Sequence, residues 1–187
     1  MPLLPSLPDP AHLGDLIAAF PKGMRPLIAY VDALLRGESD LTIGERELIA
    51  AYTSALNACR FCHQSHALYT ELFGVDPARI DALMADPDAA PYGEKMKPLL
   101  AYVAKLNSLP ARLVPADAEA VLAAGWSEAA LFDAIQINAL FNLMNRMVEG
   151  AGVNFDYDRN PDAILDRADR SKHAHTYLGF ADRLGLD

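Results

Sequence analysis

The 187-residue chain is 52% hydrophobic and 22% charged, enough apolar mass for the core of one domain of ordinary size. Its formal net charge of -9 repels phosphate backbones and anionic lipid, so neither nucleic acid nor a membrane is expected as a partner. No apolar run approaches the roughly 20 residues that span a bilayer. The first residues lack a basic region and are broken by Pro2, Pro5, Pro8 and Pro10, unlike a secretory signal, and the cytoplasm is the expected location.

In chain order, residues 1–10 read as an extended proline-rich arm, one that could lie on a neighbouring subunit. Residues 11–187 read as a single all-helical domain. Apolar residues at helical spacing mark helices over 12–20 and 24–36, with Pro21 and Gly23 between them and Gly37 as a stop. Thr42-Ile43-Gly44-Glu45 has the form of a capping box, so a helix should run from there to about Asn57. Residues 59–73 form the next helix, stopped by Gly74. Asp76-Pro77 opens a short helix. A further helix covers 93–107, with Pro98 as a candidate kink. Pro115 opens one that Gly125 closes. Ser127 caps a long helix over 128–149, closed by Gly150, and weaker helices occupy 161–184. Strand patterns are absent. The expected fold class is an all-α, single-domain helical bundle of roughly ten helices.

The chain has only two cysteines, Cys59 and Cys62, three positions apart. A structural disulfide framework closes longer loops, so a lone close pair points to redox chemistry or metal binding. On a helix the two thiols share a face with His66, one turn beyond Cys62. His66 can take the Cys62 proton directly or through a water, and Glu47 can orient the imidazole. A partner is needed. Lowering a thiol pKa from about 8.5 to about 6.5 takes roughly 2.7 kcal/mol, whereas a helix N-terminus supplies about 0.3–1 kcal/mol. On one straight helix Glu47 and His66 would stand about 28 Å apart, so the chain must bend sharply near 57–58. No glycine or proline marks that bend, and Asn57 is the best candidate N-cap.

Glu47, eleven residues, Cys59-x-x-Cys62, three residues, His66 resembles the core of the AhpD-like alkylhydroperoxidases in the carboxymuconolactone decarboxylase-like superfamily. The resemblance is strongest over 42–75 and extends more loosely through 128–149 and the Gly150-Ala151-Gly152-Val153 that follows. Length and proline-rich start resemble the peroxidase-related subgroup. The resemblance implies a peroxidatic Cys62, a resolving Cys59, and a proton relay of His66 and Glu47. It further implies a peroxide substrate, an external dithiol reductant such as a lipoyl group on a carrier protein, no cofactor, and a homo-oligomer, trimer or hexamer. One residue departs from the pattern. Phe61 stands where the best-known members carry a histidine, and His63, one turn from Cys59, is a candidate to stand in for it.

Other readings stay open at this stage. In thioredoxin-like helices the first cysteine is the nucleophile, which here is Cys59. Cys59, Cys62 and His66 could be three ligands of a zinc, although structural zinc takes four. The pair could serve a redox switch without turnover, or the fold could host a decarboxylase-type enzyme, which has no need of two thiols. His173 and His175 fall in a polar tail and read as solvated. The helix 128–149 is apolar on most sides and should be buried in the core or between subunits. Its Asn138, Asn142 and Asn145, with Arg146 beside them, form a polar stripe: either a hydrogen-bonded seam or a wall of the substrate pocket.

Overall fold

The computed structural model describes residues 1–86, 93–159 and 176–186. Among these the secondary structure is helical throughout: α1 (Leu13–Ala19), α2 (Met24–Arg36), α3 (Ile43–Leu56), α4 (Arg60–Leu72), α5 (Pro77–Ala85), α6 (Met96–Asn107), α7 (Pro115–Ala123), α8 (Glu128–Ala151) and α9 (Tyr177–Arg183).

The sequence sets α3 at the centre. Nine consecutive residues from Arg46 to Ser54 are buried, so no face of this stretch meets water, and the helix packs against α2, α4, α5, α6 and α8. Its start is the expected capping box. Thr42 Oγ1 accepts the Glu45 N–H at 3.2 Å and the Glu45 carboxylate accepts the Thr42 N–H at 2.8 Å, which satisfies two of the donors a helix start leaves open. Gly44 permits the end of α4 to close on this start, because a Cβ there would stand 3.0 Å from the Phe73 carbonyl oxygen.

Two expectations are corrected. Gly150 does not close α8; the helix runs to Ala151, and Gly152 in the left-handed region ends it. Pro98 is not inside a helix over 93–107. The helix starts at Met96, so Pro98 lies in the first turn, where its missing N–H has no intrahelical partner to lose. On the long helix, Phe132 and Leu143 are 59% and 48% exposed on the outer side of the single chain. Of the weaker helices expected over 161–184, Tyr177–Arg183 is present; 160–175, with His173 and His175, lies outside the described residues.

The N-terminal arm docks on its own chain. The Leu3 N–H donates to the Ala151 carbonyl at 3.0 Å and the Ala11 N–H to Asn154 Oδ1 at 2.7 Å. Leu7 and Ala11 are buried in one apolar cluster with Cys59, Phe61, Cys62, Val148 and Tyr157. The arm thereby joins the apolar cluster that holds both cysteines.

Candidate active site

The bend that the sequence required, but did not mark, is a Schellman motif built on an alanine. The Cys59 N–H donates to the Ser54 carbonyl at 2.9 Å and the Ala58 N–H to the Ala55 carbonyl at 2.9 Å, the two bonds that close such a turn. Ala58 holds the left-handed position with φ 56°, where glycine is usual. Asn57 is therefore the C-cap of α3, not the N-cap of α4, and Cys59 takes the N-cap.

This hairpin folds α4 back along α3 and brings the distant residues together. His66 Nδ1 lies 2.6 Å from Glu47 Oε2. Glu47 is fully buried and its Oε1 is 2.6 Å from the Arg36 guanidinium. The Tyr177 hydroxyl donates to the same Oε1 at 3.1 Å. Burial alone would raise the Glu47 pKa, but His66 and then Arg36 outweigh it and hold the carboxyl below its ordinary value. Burial, with Glu47 beside it, pushes the Tyr177 phenol well above its usual range. A carboxylate facing Nδ1 makes that nitrogen the donor and leaves Nε2 as the basic position. The imidazole is held edge-on against Phe141, with ring centroids 4.4 Å apart. The Arg36 guanidinium is packed among the rings of Tyr69, Phe73 and Tyr177.

Cys59 and Cys62 are free thiols with their sulfurs 2.8 Å apart. They sit at the N-terminus of α4, where partial positive charge favours an anion. The hydrogen bond to Cys62, and next burial, push the Cys59 thiol far above its ordinary value. Both are covered: Cys59 is 0% and Cys62 4% exposed. Among the described residues His66 bonds to Glu47 and to neither thiol. The site thus has two halves, a thiol pair and a carboxylate–imidazole pair.

The remaining candidates are placed elsewhere. His63 Nδ1 is 3.0 Å from the Ala51 carbonyl on α3, a bond that makes Nδ1 the donor. Phe61 enters the aromatic cluster under the arm, with His12 and Tyr157 centroids at 5.2 and 5.6 Å. Asn138, Asn142 and Asn145 join Asn57 and Asn107 in a hydrogen-bonded network. Asn57 Nδ2 donates to Asn142 and Asn145, Asn107 Nδ2 donates to Asn57, and Asn138 and Asn142 both donate to Asn107. Asn145 also donates to Ser54 Oγ at 3.1 Å. The network ties α8 and α6 to the end of α3, directly beside the Ala58 turn. Arg146 is exposed on the outer side of α8. Among the described residues no group of three or more His, Cys, Asp or Glu side chains is arranged to hold a metal ion, and no helix is long and apolar enough to cross a membrane.

Arg36 and Tyr177 are the site residues that sequence reasoning missed. Arg36 ends α2 just before Gly37 and reads as a cation that complements a helix C-terminus. Tyr177 lies 130 positions from Glu47, and no motif links them.

Residues 21–105 match the model of the carboxymuconolactone decarboxylase family. The chain is similar to an uncharacterized peroxidase-related protein from Ralstonia eutropha JMP134, described as an alkylhydroperoxidase AhpD core. The TM-score is 0.71 and the identity 28%, over 77% of this chain and 76% of that one. It is also similar to an uncharacterized peroxidase-related protein from Silicibacter sp. TM1040, with TM-score 0.71 and 24% identity over 78% and 76% of the two chains. The debrominase Bmp8, solved in complex with 2,3,4-tribromopyrrole, shares the fold at TM-score 0.61 and 19% identity, over 76% and 73%. No curated protein matches the chain.

Proposed function

We propose that this chain, which belongs to the AhpD-like carboxymuconolactone decarboxylase superfamily, is a thiol-dependent peroxidase that cycles Cys59 and Cys62 between dithiol and disulfide. The observation that carries this reading is two free thiols 2.8 Å apart at a helix N-terminus, with a carboxylate-backed histidine one turn further along the same helix.

Two sulfurs in hydrogen-bond contact share protons as a pair. Cys59 retains its proton, because giving it up would set a second negative charge beside Cys62 in a buried site. Cys59 donates to Cys62 Sγ, and in the proposed cycle Cys62 is the sulfur that reacts as the thiolate. It attacks one oxygen of a peroxide ROOH. The O–O bond breaks, Cys62 becomes a sulfenic acid, and the leaving RO⁻ takes a proton to give ROH. His66 Nε2 is the base that receives the Cys62 proton and returns it to RO⁻, through an intervening water since it bonds to neither sulfur. Cys59 attacks the sulfenic sulfur next, releasing water and forming the disulfide. An external dithiol, such as a lipoyl group on a carrier protein, reduces that disulfide and is itself oxidised.

A second reading draws on the burial of both sulfurs. A covered pair suits a redox switch whose oxidation alters a surface without turnover. Peroxide consumption with a panel of small and carrier-bound dithiols separates the two. Catalytic consumption, with one intrachain Cys59–Cys62 link found by peptide mapping, supports the peroxidase. One stoichiometric oxidation to the disulfide, with no sustained peroxide consumption in the presence of the dithiols, supports the switch.

A further inference from the structure

Glu47 is gripped by more groups than a carboxylate–histidine pair requires, and one of them comes from the far end of the chain. We propose that Tyr177 is a positioning residue for the Glu47–His66 pair. Its hydroxyl, with the Arg36 guanidinium, occupies Glu47 Oε1, so that Oε2 faces His66 Nδ1. The inference rests on the reading of His66 as the base in the proposed reaction.

Tyr177 is delivered by dedicated contacts. Asp32 Oδ1 accepts the N–H groups of Tyr177 and Leu178 at 2.5 and 3.2 Å, and Thr176 Oγ1 accepts the Gly179 N–H at 2.9 Å. At the other end of α9, Arg25 bonds to Asp182 at 2.9 Å and to the Leu186 carbonyl at 2.7 Å. Ala181 and Leu186 are buried against Ile17 and Ile28. Asp32 and Arg36 stand one turn apart on α2. The first holds the Tyr177 backbone, and the second stacks 4.8 Å from its ring centroid and pairs with the carboxylate that the hydroxyl reaches.

The charge argument follows from the occupants of each oxygen. Around Glu47 stand Arg36 from α2, His66 and Tyr69 from α4, and Tyr177 from α9, with Arg46 immediately before it on α3. Two donors on Oε1 draw negative charge from Oε2, the oxygen facing the imidazole. Less charge there stabilises the doubly protonated imidazolium less. The Tyr177 hydroxyl thus weakens the pull of Glu47 on a proton held at His66, and the ion pair with Arg36 favours the ionised carboxylate. The phenol's high proton affinity keeps it a donor across the working pH range.

Tyr177→Phe in the full chain removes the hydroxyl and keeps the ring against Arg36. The readouts are nitrogen chemical shifts of isotope-labelled His66 against pH, and the pH profile of peroxide reduction. At a fixed pH the ratio of imidazolium to neutral His66 should rise severalfold, and the acid limb of the rate profile should move to higher pH with the alkaline plateau kept. Asp32→Ala, which loosens α9 and leaves the phenol intact, should shift the His66 signals the same way. If circular dichroism shows Tyr177→Phe misfolded, Asp32→Ala decides. His66 signals coincident with wild type, or a lowered plateau on an unmoved limb, overturn the proposal. If the wild type turns over no peroxide, the proposed reaction fails, and the nitrogen shifts still decide the role of Tyr177.

Discussion

Glu47 and His66 are 19 positions apart in the chain and 2.6 Å apart in the structure. That contact exists because a single left-handed alanine turns α4 back on α3. It sets a buried carboxylate against an imidazole that would otherwise be several helical turns away, and the pH behaviour of the fold follows from it.

The Glu47 carboxyl is held below its ordinary value in the folded chain. Its contribution to stability is present above its unfolded pKa, about 4.3, and is lost as pH falls through the folded value. The Tyr177 phenol is raised, so its contribution is complete below about pH 10 and is lost as pH rises toward the folded value. Urea midpoints measured from pH 3 to 11 should fall at both ends. Glu47→Gln should flatten the acid side, and Tyr177→Phe the alkaline side. An acid slope unchanged in Glu47→Gln contradicts the assignment.

Ala58→Gly relieves the left-handed alanine at the cost of chain entropy. A stabilisation of about 0.5–1 kcal/mol is expected, since a non-glycine residue at this conformation is strained by roughly 1–2 kcal/mol. Ala58→Val should be strongly destabilising, because a β-branched residue tolerates positive φ poorly. Equal stability of the alanine, glycine and valine proteins in denaturant would argue against the turn.

Gly152→Ala tests the arm. A Cβ at Gly152 would stand 2.4 Å from the Leu3 nitrogen, so the arm must lift or shift. Lifting it uncovers Cys59 and Cys62, and their reaction with a bulky aromatic disulfide reagent should accelerate at least severalfold. A rate equal to wild type means that the arm does not limit access.

Phe132, Ala139 and Leu143 follow one another along the outward side of α8. We propose that this apolar stripe is covered in a homo-oligomer, with Phe132→Asp and Leu143→Asp weakening it. Sedimentation of the wild type should give a mass at least twice the 20.3 kDa of one chain. A monomer at micromolar concentration, unchanged by the aspartates, refutes this.

Most of the helices were legible because their signals are local: the Thr42–Glu45 box, Pro115, the Ser127 cap and the glycine stops. The four motif residues were legible because spacing on neighbouring helices encodes them. The bend was legible at 57–58 from geometry, but Asn57 was misassigned as the N-cap of α4, since the Schellman turn is carried by an alanine that no composition rule flags. The end of α8 at Gly150 was misplaced, because a glycine inside the last turn looks like a stop. Arg36 and Tyr177 were invisible for a different reason. They reach Glu47 from α2 and α9 through tertiary packing, and no local pattern reports a contact spanning 130 positions.

In the proposed cycle Cys62 attacks peroxide and Cys59 resolves. The direct measurement is mass spectrometry of the two serine variants after one equivalent of peroxide in the presence of a dimedone-type trap. Cys59→Ser should react once and carry the trapped adduct on Cys62, and His66→Ala in that background should slow the trapping at neutral pH about a hundredfold or more, the low end of what a positioned base contributes. Cys62→Ser should leave Cys59 unmodified. An adduct on Cys59 in Cys62→Ser, together with an inert Cys62 in Cys59→Ser, would reverse the assignment and contradict the account.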